Sequence, residues 1–148
     1  MSDTRVAFFE KLDELARDKH VILLVGDLGY SFMEGFAEKY PEQYINCGIA
    51  EQNMVGVAAG LARAGKKPFV YSGAMFLCTR AIEQIRDDVC YPNLDVKFIG
   101  TGASGFLGFT HNFGENEDYK NYLKGLPNLL ITDYIHDLHK KGPVFLKL

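Results

Sequence analysis

The chain lacks tryptophan and is sparing with cysteine and proline, three and five in 148 residues. Cys47, Cys78 and Cys90 are odd in number and sit in apolar segments. That argues against a disulfide framework and for reduced thiols in a cytoplasmic protein. Their spacing is not that of a metal site. No uninterrupted apolar run exceeds the five residues of Val21–Val25, far short of the roughly 20 that span a membrane. The opening Met1-Ser2-Asp3-Thr4-Arg5 lacks the basic-then-apolar order of a signal peptide. An excess of one charge is also missing: 16 basic against 19 acidic residues leave −3. Neither nucleic acid nor an anionic membrane is an expected partner. There is no internal repeat, low-complexity segment, linker, Walker-type loop or Gly-x-Gly-x-x-Gly loop.

What remains is an ordinary globular composition, 47% hydrophobic and 24% charged. The length suits one domain, residues 1–148, with a core of its own. Helical and strand periods alternate along it. Val6, Phe9, Leu12 and Leu15 recur at helical spacing, which predicts a helix from Thr4 to Arg17. Val21–Val25 is continuously apolar, as a strand covered on both faces requires. Further helices are predicted over Phe32–Lys39, Ala50–Ala64, Ala74–Cys90, Asp118–Leu126 and Ile135–Lys140. Further strands are predicted at Tyr44–Asn46, Phe69–Tyr71, Val96–Ile99, Leu129–Ile131 and Val144–Leu146. Glycine-rich Gly100–Gly114 reads as a loop. Such alternation specifies an α/β domain: three α/β/α layers around a mainly parallel central sheet.

One carboxylate stands out. Glu51 falls where the strand Tyr44–Asn46 turns into an Ala/Gly-rich helix. A first-turn glutamate commonly does no more than complement the helix dipole, worth about 0.3–1 kcal/mol. Here Ala50, Met54, Val55, Val57 and Ala58 leave it little polar company. Gly56 and Gly60, with Ala59, make a smooth surface that another helix can approach. Burial there would disfavour the charged form more than the dipole favours it. The result would be a carboxyl able to share a proton with a bound base.

The block Gly48-Ile49-Ala50-Glu51-Gln52-Asn53, continued by Val57–Ala62, Lys67-Pro68, Tyr71-Ser72 and Glu83–Tyr91, resembles the pyrimidine-binding domain of transketolase-like, thiamine diphosphate-dependent enzymes. The resemblance runs from Val21 to Leu148 and is sharpest between Tyr44 and Tyr91. It implies the pyrimidine-module variant of the α/β fold. It implies that Glu51 hydrogen-bonds N1′ of the aminopyrimidine and so promotes loss of the proton from the thiazolium carbon. It implies that Phe76 stacks on the aminopyrimidine, and it brings Ile49 to the cofactor as well. Without the resemblance, Phe76 reads as a helix-borne core aromatic. Arg80, one turn on, reads as a helix-surface or interface residue.

In Gly105–Asn112, His111 matches a Gly-x-Thr-His sequence that carries a histidine to the reacting carbon in this family. The aspartate usual four positions earlier is replaced by Leu107. That departure predicts weakened recognition of a sugar hydroxyl. Asp27 in Gly26-Asp27-Leu28-Gly29 is not the family's metal motif, which belongs to the other thiamine domain. It reads as a turn or interface residue, and no metal ligand is expected in this chain.

The family's diphosphate-binding module has no counterpart in these residues. The chain is therefore expected to be one subunit of a split transferase, with a fragment or engineered minimal domain as the alternative. Its partner would hold Mg2+ and the diphosphate, in an α2β2-type hetero-oligomer with self-association. It would move a two-carbon ketol or acyl unit between sugar phosphates or α-keto acids. Two other classes stay open: a non-catalytic interaction or regulatory domain of the same fold, and an unrelated flavodoxin-like nucleotide-binding domain.

Overall fold

The computed structural model describes residues 4–102, 113 and 117–148. Helix α1 (Thr4–Leu15) leads to β1 (Val21–Val25), then α2 (Glu34–Lys39), a 3-10 turn (Pro41–Gln43) and β2 (Tyr44–Asn46). Helix α3 (Glu51–Arg63) and β3 (Lys67–Gly73) follow. Next come a π-helical turn (Phe76–Arg80), α4 (Ile82–Gln84), a second π segment (Ile85–Cys90) and β4 (Lys97–Thr101). The chain closes with α5 (Tyr119–Leu123), β5 (Leu130–Thr132), a 3-10 turn (Ile135–His139) and β6 (Val144–Lys147).

Among the described residues, six strands form one sheet in the order β2-β1-β3-β4-β6-β5, every pair parallel. Parallel strands need crossovers, and crossovers cover both faces. Side chains alternate accordingly. Ile22, Leu24, Val70, Phe98 and Phe145 face α3, the π segments and α5. Val21, Leu23, Val25, Phe69, Tyr71, Ile99 and Leu146 face α1, α2 and the Ile135–His139 turn. The expected three-layer α/β/α architecture with a parallel sheet is what forms.

Boundaries shift by a residue or two at most ends, and β3 is longer than its apolar stretch. Pro68 is tolerated there because pairing with β4 begins only at Phe69, so the missing N–H falls at the strand's start. The substantive correction is the predicted helix Ala74–Cys90. It is broken at Ala81 (φ −108°, ψ 14°), and both of its long parts are π-helical. Ala81 N–H reaches back five residues to the Phe76 carbonyl. Asp118 lies outside α5 and caps it, accepting from Lys120 N–H at 2.9 Å. The Gly100–Gly114 loop prediction falls mostly outside the described residues, and Thr101 belongs to β4.

Candidate active site

Glu51 is the first residue of α3 and also the first of its buried stripe. Met54, Val55, Ala58 and Ala59 follow at three, four, seven and eight residues, the spacing of one helix face. Glu51 therefore points under the helix, into protein, and is 1% exposed. The turn before it is fixed by polar contacts at the strand ends. Gly48 adopts φ +70° and donates its N–H to Asn46 Oδ1 at 2.9 Å. Asn46 Nδ2 donates to Asp27 Oδ1 at 3.0 Å. Asp27, at φ +55°, lies in the bend after β1 and also accepts from the Tyr30 hydroxyl.

Among the described residues the carboxylate has two side-chain donors. Ser72 Oγ, from the end of β3, reaches Oε1 at 3.1 Å. Arg80 Nη1 reaches Oε2 at 2.8 Å. Gly26 makes room: a Cβ there would stand 3.0 Å from Ser72 Oγ and 3.5 Å from Glu51 Oε1. The expectation of an almost apolar setting is thus corrected. Two partners come from β3 and the π-helical turn, 21 and 29 residues further along the chain.

Phe76 is half-buried, its ring so close over Gly73 that a Cβ would meet it at 2.9 Å. The Arg80 guanidinium lies over the same ring, 4.6 Å from its centre. Arg80 thus touches both the Phe76 ring, four residues before it, and Glu51. Ile49 stands apart, 74% exposed on the approach to α3. His111 and Leu107 lie outside the described residues. Arg80 is partly exposed, but it is no mere surface residue, because its head group is ion-paired to Glu51. Its four-residue spacing from Phe76 is legible as a helix-neighbour pair, but its pairing with Glu51, 29 residues away, is not. Ser72 and Gly26 carry none, since their roles depend on neighbouring strands. Among the described residues no group of three His, Cys, Asp or Glu side chains is arranged to hold a metal ion.

A hydrogen-bonded carboxylate closed to water, joined through one guanidinium to an aromatic face, suits a flat heteroaromatic ring with a protonatable nitrogen. Comparisons with known proteins agree in kind. Residues 1–131 match the family described as transketolase, pyrimidine binding domain. One subunit of the apulose-4-phosphate transketolase of Phocaeicola vulgatus is 43% identical over 113 residues, 73% of this chain and 36% of that protein. The 6-deoxy-6-sulfo-D-fructose transketolase subunit SqwH of Clostridium sp. (strain MSTE9) is 31% identical, over 93% of this chain and 46% of that one. A solved split-gene transketolase, an inactive beta4 tetramer, superposes with a TM-score of 0.83 at 36% identity, over 98% of this chain and 50% of its own. The chain thus spans half or less of each of these relatives.

Proposed function

The chain belongs to the transketolase pyrimidine-binding domain family, and from that membership we propose that it supplies the pyrimidine side of a thiamine diphosphate site. The reaction is transfer of a two-carbon ketol or acyl unit. It runs in company with a subunit that binds the diphosphate and Mg2+. The observation that carries this reading is the Glu51 carboxylate, 1% exposed at the first turn of α3 and linked through Arg80 to the half-buried Phe76 ring. Keeping a carboxylate away from water is costly, and such positions concentrate at functional sites.

The residues fit the group. Glu51 would hold a ring nitrogen and exchange a proton with it. Phe76 would offer the ring its flat face, and exposed Ile49 would close the approach. The bound cofactor supplies a carbon nucleophile for a substrate carbonyl; the protein orients it and tunes its protonation. We assign His111 to the substrate side, binding an oxygen or moving a proton there. Two relatives are named as transketolase subunits, and a solved one is an inactive beta4 tetramer. These names support a reading in which this chain needs a partner subunit; the α2β2-type arrangement is part of the proposal. The three free cysteines suit a cytoplasmic setting.

The test is reconstitution with a separately expressed diphosphate-binding subunit, thiamine diphosphate and Mg2+. Ketol transfer should appear only in the mixture, and Glu51→Gln should abolish it. Turnover by this chain alone, or full turnover with Glu51→Gln, overturns the proposal.

A further inference from the structure

The proposed function gives the cofactor's aminopyrimidine two anchors, the Glu51 carboxylate and the Phe76 ring. In this structure one side chain touches both. Arg80 Nη1 donates to Glu51 Oε2 at 2.8 Å, and its guanidinium carbon lies 4.6 Å from the Phe76 ring centre. A guanidinium is planar, donates N–H bonds to carboxylates and lays a flat face on aromatics. Those are the interactions an aminopyrimidine would make with the same two groups. We propose that Arg80 is the resident stand-in for the aminopyrimidine. It occupies Glu51 and Phe76 in the cofactor-free protein and swings out when the ring enters. This rests on the assignment of Glu51 and Phe76 to the cofactor.

Three features fit an exchangeable occupant. Glu51 is 1% exposed, and besides Arg80 the side chain that donates to it among the described residues is the neutral Ser72. A carboxylate so placed is expensive without a cationic or N–H partner, so the cofactor-free protein needs a substitute. Arg80's own side chain is 43% exposed, so it has solvent to move into. It ends the π-helical turn, immediately before the break at Ala81, where a long side chain can change rotamer without disturbing a regular helix. A half-exposed ion pair is also modest in strength, which makes the exchange cheap.

The inference has a signature that an ordinary supporting residue lacks: losing Arg80 should weaken the cofactor-free fold yet strengthen pyrimidine binding. The full chain would be titrated with the free hydroxymethyl aminopyrimidine, following the Arg80 guanidinium and Ser72 amide resonances by NMR. At saturation the Arg80 signal should move to the position of a solvated arginine. Arg80→Met, which keeps the stem but not the head group, should melt lower without ligand. It should bind the pyrimidine about two- to fivefold more tightly, the range set by a half-exposed ion pair. Arg80→Lys, which keeps the charge but not the plane, should fall between the two.

Equal or weaker binding by Arg80→Met, or an Arg80 signal unmoved at saturation, overturns the proposal and makes Arg80 a fixed clamp on Glu51. The underlying assignment is tested separately. If the pyrimidine shifts Ser72 and Phe76→Ala abolishes that shift, the cofactor site stands whatever Arg80 does. If the pyrimidine perturbs neither protein, or binds regardless of Phe76 and Glu51, the assignment itself fails and takes the exchange with it.

Discussion

Ser72 donates to Glu51 Oε1 across 3.1 Å, tying the end of β3 to the first residue of α3 where neither side chain meets solvent. The bond fixes where the carboxylate points, and Gly26 keeps the space open. Ser72→Ala should cost about 1–3 kcal/mol, the range for leaving a buried polar group short of a partner, read by denaturant unfolding. Gly26→Ala should push Ser72 off its bond and loosen Glu51 by a different route. If both variants match wild type in stability and cofactor affinity, the bond does not organise the site.

Glu51→Gln should fold, since Gln still accepts from Ser72 and is nearly isosteric. In the reconstituted enzyme, hydrogen–deuterium exchange at the cofactor's reactive carbon should slow by about 10²–10⁴-fold, the scale of a lost acid–base group. Exchange at the wild-type rate would return Glu51 to a helix-start carboxylate.

Phe76→Ala separates cofactor stacking from packing. A core Phe→Ala change costs about 3–5 kcal/mol. Phe76 is only half-buried, so the stability loss should be smaller while cofactor affinity drops clearly. A large fall in Tm with unaltered affinity makes it a core residue.

The layers are legible in the sequence because β1 is apolar throughout and α3 carries Met54, Val55, Ala58 and Ala59 on one stripe. That stripe also marks Glu51 as buried, since it sits three and four residues before Met54 and Val55. What stays hidden needs through-space information. Nothing in Ala74–Cys90 announces i→i+5 turns, because its apolar spacing is that of an ordinary helix. Arg80 reads as a surface residue, because its ion-pair partner Glu51 lies 29 residues away in the chain. Ser72 is likewise invisible, as its partner is set by which strand lies beside which helix.

The thiols give a pH prediction. Burial pushes Cys78 and Cys90 each from an ordinary 9.0 up to about 12, and it raises half-buried Cys47 as well. A thiol whose folded value is raised contributes its full stabilisation below the unfolded value. That contribution is lost as pH climbs through the window from about 9 to about 12, where only the unfolded chain ionises. Stability should therefore decline through that window, and less steeply for Cys78→Ala once its own packing loss is subtracted. At pH 8, iodoacetamide should label Cys47 before Cys78 or Cys90 by mass spectrometry. Rapid labelling of either buried thiol in folded protein would contradict this.

The proposed substrate-side role of His111 and the departure at Leu107 together make substrate choice testable. With His111 on the substrate side, His111→Ala should depress turnover while exchange at the cofactor's reactive carbon continues. Equal losses in both would move His111 to the cofactor side. The family resemblance puts a sugar-binding aspartate at position 107, where this chain has Leu107 and so no acceptor. A substrate hydroxyl buried there without a partner costs about 1–3 kcal/mol, roughly five- to 150-fold in relative kcat/KM. A deoxy sugar phosphate or short α-keto acid should therefore compete well with ordinary ketose phosphates. Leu107→Asp should tilt the preference back toward the hydroxylated substrate. A panel on the reconstituted enzyme decides it: if xylulose 5-phosphate and ribose 5-phosphate are the best pair for wild type, and Leu107→Asp does not improve them, position 107 does not set the specificity.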